Sequence, residues 1–364
     1  MVSSASRQRR LSWLDVAKGG AVILVALFHS TFYLDGTGLV HAGYGPLNDI
    51  LVQLRMPTFF LASGITTSFL LSRARDEYVA RKILPLVWIL LVWSFLRDIV
   101  LLQFDPFSGD PSTGVGHFVH NLLLSPNAGM WFVWSIAVLS ILAVLVRGVP
   151  WVLTVAVALA ASILVSTGRF PVGATPLSSF LVENFLTYAY LFFVGVGLAA
   201  LFTDIGASGR RAAALFVLGG LGFVAANAVD LLGDGDRSGA SAALRITFGA
   251  LFGLATAMLV DRVAPLGRWM CWAGRRSLGI YVGHSLFMFW IVRLAPDAWI
   301  DGLAATAAGP VLSPVLLTAI SVAGALLLNE ALVRARLGWL YVLPPDVGRR
   351  IVALARAPRP ATGR

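Results

Sequence analysis

Cysteine is almost absent from this sequence, and so are several motifs of soluble enzymes. Cys271 is the only cysteine among the 364 residues, so an intramolecular disulfide and a cysteine-rich metal site are both excluded. The sequence has no Gly-rich phosphate loop and no Gly-x-Ser-x-Gly nucleophile elbow. No His-x-x-His or Glu-x-x-His pair falls on a common intramembrane face with further ligands, and we therefore predict no metal site.

Charged residues are scarce. They make up 13% of the chain, whereas hydrophobic residues make up 58% and the mean hydropathy is +0.81. An ordinary soluble domain has about 25% charged residues. Apolar runs near the roughly 20 residues that cross a bilayer recur along the chain, separated by short polar breaks. The sequence therefore predicts an all-α polytopic membrane protein.

We predict ten transmembrane helices. The fourth and fifth are divided only by the break at Arg147, Gly148 and Pro150, and loss of that break would leave nine. The predicted spans are 12–34, 48–71, 82–103, 130–147, 150–168, 180–202, 211–232, 240–261, 277–294 and 311–333.

Lysine and arginine are distributed unequally between the breaks. Of the 28, 21 fall in the terminal segments and the breaks on their side, three fall in the other breaks, and four lie inside spans. Because positively charged loops stay in the cytoplasm, we expect both termini to be cytoplasmic and the protein to be a multi-pass protein of the cell membrane. The net charge of +10 then orients helices, and we predict no nucleic-acid partner.

Three parts follow from these boundaries. Residues 1–11 form a basic cytoplasmic N-terminus, residues 12–334 a transmembrane domain, and residues 335–364 a basic, partly disordered cytoplasmic tail. The longest break, 104–129, is on the outer side and holds His117 and His120. It is a candidate for an interfacial or re-entrant segment.

The first span carries three ionisable residues, which are costly inside a membrane and therefore mark candidates for function. They also argue against a cleavable signal, so we expect the span to remain as the first helix. Lys18 and His29 are eleven residues apart, which places them near one helix face, about 16.5 Å apart along the axis. Lys18 lies toward the cytoplasm, where it could hold a phosphate-bearing donor, and Asp15 can pair with it. His29 lies toward the outer side, where its imidazole could accept a proton from an acceptor hydroxyl.

Simpler interpretations stand beside these. Lys18 could be an interfacial anchor whose ammonium reaches the headgroups, and His29 could make a helix–helix hydrogen bond.

Depth along the spans groups a second set of polar residues. Arg55, Arg97 and Asp98 lie roughly 10 Å inside the outer boundary, at a depth similar to that of His29. Roofed by Trp131 and Trp134, this cluster could bind an acceptor and stabilise a developing oxyanion. The arginines could instead pair structurally with Asp98.

Late in the chain, Ser277, Tyr281 and His284 share one helix face, where packing and function are both open interpretations. We expect His284 and Glu330 nearer the cytoplasmic end, with Lys18 at a donor site.

Four segments, in order, resemble the acyltransferase family 3 membrane proteins. Asp15-Val16-Ala17-Lys18, followed after ten residues by His29, is similar to the family's Arg-x10-His motif with Lys in place of Arg. The segment from Arg55-Met56-Pro57 to Ser63-Gly64 resembles its Met-Pro-x-Phe-Phe-x-x-Ser-Gly signature. Met130-Trp131-Phe132 is similar to its Trp-aromatic motif. Ser277-Leu278-Gly279-Ile280-Tyr281-Val282-Gly283-His284 resembles its late Ser-x-x-x-Tyr-x-x-His segment.

The resemblance implies an enzyme that moves an acyl group, acetyl being the simplest, from acyl-CoA to a hydroxyl of a sugar, glycolipid or related acceptor. Acyl-CoA would be a substrate, with no permanently bound cofactor, and membrane lipids would be the surrounding partners. His29 and Lys18 would be catalytic. The substrate-binding residues would be Asp15, Arg55, Arg97, Asp98, Trp131, Tyr281 and His284.

Two other functions remain open. A transporter or flippase would also line a bundle interior with charges, although we find no two related halves with paired broken helices. The second possibility is a non-catalytic sensor of the same fold. Lys18 in place of the family's arginine favours a sensor.

Overall fold

The computed structural model describes residues 11–100, 129–168, 176–232, 239–344 and 346–348, together with the single positions 119 and 122. Within these residues every regular element is helical and no strand occurs. The helices, in chain order, are α1 (Ser12–Tyr33), α2 (Tyr44–Leu71), α3 (Arg75–Tyr78), α4 (Leu84–Val100), α5 (Trp131–Leu145), α6 (Trp151–Ser166), α7 (Pro176–Gly197), α8 (Ala199–Ala207), α9 (Gly209–Leu232), α10 (Gly239–Val260), α11 (Ala264–Arg275), α12 (Ser277–Leu294), α13 (Asp297–Ala304) and α14 (Gly309–Arg334). A π-helical segment, Val79–Ile83, joins α3 to α4, so that Arg75–Val100 is one continuous helix.

Eight of these helical segments are long and apolar enough to cross a membrane, among the described residues. At the predicted spans 130–147 and 150–168 lie the shorter apolar helices α5 and α6, of 15 and 16 residues. At 1.5 Å per residue they are about 22 and 24 Å long, less than the roughly 30 Å of a hydrocarbon core. The predicted break between them is present. The count of ten spans is not confirmed, and the orientation of the termini stays a prediction.

The first helix is the centre of the bundle. It contacts α2, α10, α11, α12 and α14. Small residues allow two backbones to approach closely where helices pack in a membrane. A Cβ on Gly19 would overlap the carbonyl oxygen of Met270, and one on Gly274 would overlap the carbonyl oxygen of Asp15. The helix α11 therefore lies directly against the first half of α1.

A second close approach joins α2 to α7. A Cβ on Gly64 would overlap the carbonyl of Phe192, and one on Gly195 would overlap the carbonyl of Leu61. This contact holds the Ser63-Gly64 end of the second-span motif against the middle of the bundle.

Part of the predicted tail, 335–364, packs on the bundle. The indole nitrogen of Trp93 donates to the carbonyl of Leu340 at 2.8 Å, and the Trp93 and Tyr341 rings lie 5.0 Å apart between centroids. Residues 339–341 thus lie against α4, while 345 and 349–364 are outside the described residues, as are 1–10 of the predicted N-terminus.

The glycine contact of α1 can be tested with two neighbouring positions. We expect Gly19→Ala to lower the free energy of unfolding by about 1–3 kcal/mol, because the added methyl has no room beside the Met270 carbonyl. Gly20→Ala is the matched control, since a Cβ there meets nothing within 4 Å. SDS-induced unfolding in detergent micelles would compare the two variants, and equal effects would contradict the packing described.

Candidate active site

Helices α1 and α12 bring two histidines together. His29 Nδ1 and His284 Nε2 are 2.8 Å apart, and the ring centroids are separated by 5.0 Å. His284 Nδ1 lies 2.8 Å from the carbonyl oxygen of Ile280, one helical turn earlier. The three groups form one hydrogen-bond chain through the bundle.

The carbonyl at the end of this chain determines which nitrogens carry protons. A carbonyl oxygen only accepts, so His284 Nδ1 must donate to Ile280, and in the neutral ring His284 Nε2 is then an acceptor. His29 Nδ1 must therefore donate to His284 Nε2. In neutral His29 this leaves a lone pair on Nε2, the nitrogen that could accept a proton from a substrate.

The two histidines differ in exposure. His284 is only 1% exposed, whereas His29 is half-buried. The lone pair on Nε2 therefore belongs to the more exposed residue of the pair, and the bond to His284 holds the orientation of the His29 ring.

The prediction that His284 lies with Lys18 near one end of the bundle is wrong. Helix α12 follows α11, an amphipathic helix whose buried face packs against Asp15 and Gly19 of α1, so α12 begins beside these turns of α1 and His284 reaches the level of His29. Glu330, placed with it, pairs with Arg334 at 3.0 Å on an exposed face.

Arg97 reaches the same helix beside His284. It is 2% exposed and donates through Nη1 to Ser285 Oγ at 2.5 Å and to the carbonyl of Val282 at 3.4 Å. Asp98 follows it in the chain and is 4% exposed. The structure thus brings Arg97 next to the histidine pair, as the depth argument predicted.

Arg55 is the second buried guanidinium. It donates to Asn48 Oδ1 at 3.5 Å and lies 4.4 Å above the centre of the Phe28 ring. Asn48 in turn donates to Thr31 on α1 at 3.0 Å. The positive charges of Arg97 and Arg55 both act on His29, so His29 lies in an electropositive part of the bundle.

Trp131 is part of an aromatic cluster behind this site. Its ring centroid lies 6.1 Å from that of Phe60 and 6.3 Å from that of Tyr188. It is 8% exposed, so it packs within the bundle. Trp134, also predicted as part of the roof, packs on Phe185 instead.

Tyr281 lies between this cluster and the histidines. Its ring centroid is 5.8 Å from that of Phe132 and 6.3 Å from that of His284. It also lines a cavity of about 140 Å³ that extends to Lys18 and Lys82.

Lys18 stands at the junction of two cavities. It lines the 140 Å³ cavity and a larger one of about 1360 Å³, and Thr66 also lines both. The π-helical segment presents Lys82 to the smaller cavity and Arg81 to the larger one. Three basic side chains therefore surround the connection between the two spaces.

Asp15 lines the larger cavity near Lys18. It is 5% exposed, and its Oδ2 lies 3.5 Å from Arg275 Nε and 3.9 Å from Cys271 Sγ. Its carboxylate thus ties α1 to α11 as well as facing the cavity.

Sequence reasoning missed several of these residues. Lys82 is one of only two lysines in the chain, which is the sequence signal that could have found it, although it lies at the start of a predicted span, where basic residues are common. Ser285 and Arg275 carried no sequence signal, because their contacts with Arg97 and Asp15 depend on how their helices are rotated in the bundle. His117 and His120 lie outside the described residues. Among the residues that are described, no group of three His, Cys, Asp or Glu side chains could hold a metal ion.

Comparison with known proteins finds one matching family. The family model described as Acyltransferase domain matches residues 11–330, nearly the whole chain. The four motifs described in the sequence analysis all lie inside that match, which confirms their resemblance to acyltransferase family 3. No curated protein and no solved structure matches the chain.

The contact between Arg97 and Ser285 gives a stability prediction. We expect Ser285→Ala to lower the free energy of unfolding by about 1.5–3 kcal/mol, because a buried guanidinium loses an acceptor. The matched control is Ser321→Ala, since Ser321 is fully buried and its hydroxyl has no partner among the described residues. Unfolding in detergent micelles would measure both, and a loss of equal size in the control would refute the role given to Ser285.

Proposed function

Because this chain belongs to acyltransferase family 3, whose model covers residues 11–330, we propose that it transfers an acyl group, acetyl being the simplest, from acyl-CoA to a hydroxyl of a sugar, glycolipid or related acceptor. The protein is a multi-pass membrane protein, and we place it in the cell membrane. The observation that carries the proposal is the hydrogen-bond chain from the Ile280 carbonyl through His284 to His29.

His29 acts as the general base in this proposal. Its Nε2 lone pair accepts the proton of the acceptor hydroxyl, while the bond to His284 fixes the tautomer and the ring plane. An orienting group behind the base is the arrangement that activates hydroxyl nucleophiles on many unrelated folds. Here a second imidazole and a backbone carbonyl take the place of the usual carboxylate.

The proposed reaction is balanced in atoms and protons. The acceptor oxygen attacks the thioester carbonyl carbon as His29 removes the hydroxyl proton, and a C–O bond forms. Collapse of the tetrahedral intermediate breaks the C–S bond. Protonated His29 then returns its proton to the departing thiolate, so the products are an ester and free CoA.

Buried cations support the charged stages of this reaction. The tetrahedral intermediate carries an oxyanion, which fixed donors in a low-dielectric site stabilise more than water does. Arg97 is held by Ser285 and Val282, and Arg55 by Asn48 and Phe28, so neither has to reorganise as charge develops. Both act electrostatically on His29. We assign them to the oxyanion or to anionic groups of the substrates.

The cavities suit a long, phosphate-bearing donor. The larger one, about 1360 Å³, exceeds the usual range for small-molecule pockets and has room for a nucleotide. Lys18 and Arg81 line it and could bind the phosphates. The smaller one, lined by Lys82 and Tyr281, leads toward the histidines, as a thioester arm would require.

The alternative is a transporter, flippase or sensor of the same fold, which would bind such ligands without chemistry. Lys18 favours it, because an ammonium cannot make the forked contact of the arginine found in the family motif. Only the enzyme produces an acylated acceptor, so product chemistry separates the two.

The proposed base predicts a specific loss. We expect His29→Ala to reduce acyl transfer by a factor of about 10² or more, the usual contribution of a general base. Mass spectrometry of glycans, lipids and secreted metabolites would compare cells that carry the wild type or the variant at matched membrane levels. A species one acyl mass heavier should be present with the wild type and absent with His29→Ala.

His41→Ala is the matched control. His41 is exposed, and its Nδ1 accepts only the backbone N–H of Gly43 in the loop after α1. The acylated species should persist in this variant. Acyl transfer that survives in His29→Ala would refute the mechanism, and no acylated species in wild-type cells would favour the transporter or sensor.

A further inference from the structure

A second kind of cavity lies between α5, α6 and α7, away from the histidines. Its volume is about 350 Å³, and of its 13 lining residues only Thr154 is polar. Leu142, Ala158 and Phe185 line it from the three helices. We call this space the apolar slot. Because its lining offers hardly any hydrogen-bonding group, the apolar slot suits a hydrocarbon chain.

The apolar slot is continuous with a smaller space that has a cation. That space, about 110 Å³, shares Val146, Val149, Thr154 and Phe193 with the slot and adds Arg147. Arg147 is exposed and donates to the carbonyl of Arg73 at 3.3 Å. Within the described ranges it has no carboxylate partner.

We propose that the apolar slot and Arg147 together form a binding site for a glycerophospholipid of the bilayer. One acyl chain fills the slot, and the phosphate binds the Arg147 guanidinium. Basic side chains at the ends of transmembrane helices bind lipid head groups in this way. Trp151 also lines the smaller space, and tryptophan is enriched at the level of the head groups.

Helix length supports the same occupant. The helices α5 and α6 are about 22 and 24 Å long, so the bilayer must thin or the lipid must adapt around them. A lipid fixed by its phosphate at Arg147 and by its chain in the slot would cover this short face.

The site is connected to the bundle core by α7. Ala189 and Phe185 of α7 line the slot, whereas Tyr188 packs on Trp131 and Phe60 in the aromatic cluster. A bound lipid therefore contacts a face of α7 next to the one that packs on that cluster, and binding should stabilise the fold.

Native mass spectrometry of the full-length protein, delipidated in detergent and titrated with phosphatidylglycerol, tests the proposal without reference to catalysis. We expect one tightly bound lipid, with binding weakened at least tenfold by Arg147→Gln, which removes the cation, and by Ala158→Trp, which fills the slot. Arg210→Gln and Ala213→Trp, at exposed positions of α9, are matched controls that should bind as the wild type does.

Further arms separate the lipid from its parts. Inorganic phosphate and palmitate should each fail to displace phosphatidylglycerol, because each satisfies only one half of the site. Equal affinity in all five proteins, or displacement by either part alone, would overturn the proposal. Arg147→Gln changes an exposed side chain and so keeps the test decisive even if Ala158→Trp disturbs folding.

Discussion

Close packing of α1 against α11 determines the depth at which the polar site forms. Gly19 and Gly274 each lie against a backbone carbonyl of the opposite helix, and neither has room for a side chain. Because Arg276 alone separates α11 from α12, this contact also sets the level at which His284 meets His29. A hydrogen bond in the centre of the bundle thus depends on a backbone contact about 15 Å along the helix, by the rise per residue.

Ionisable groups persist in this apolar bundle because partners are arranged along two levels of α1. At one level Lys18 joins two cavities that suit a charged, extended donor. At the other, His29 meets His284 while Arg97 is held by Ser285. In the proposed function, the base and the fixed positive charges lie at the level of His29, and the phosphates bind at the level of Lys18. One helix would then carry both the donor site and the proton acceptor.

Hydropathy predicted most of the helices, because it follows from local composition. Depth along the predicted spans grouped Arg97 with His29, because it requires only the rise per residue of each helix. The depth of His284 could not be predicted in this way, since it depends on where α11 packs along α1. The partner of Arg97 depends on the rotation of α12, which a single sequence does not encode locally. Packing of Tyr341 on Trp93 was missed because a basic, proline-containing tail is typical of disorder.

The most direct test of the account is the protonation of the two rings, measured by nitrogen NMR on histidine-labelled protein in lipid nanodiscs, with His29→Ala and His284→Ala for assignment. At a pH where both rings are neutral, the account predicts a proton on Nδ1 of His29 and of His284, with Nε2 of His29 unprotonated. A proton on Nε2 of His29 would leave no lone pair for the acceptor hydroxyl and would contradict the proposed role of the pair.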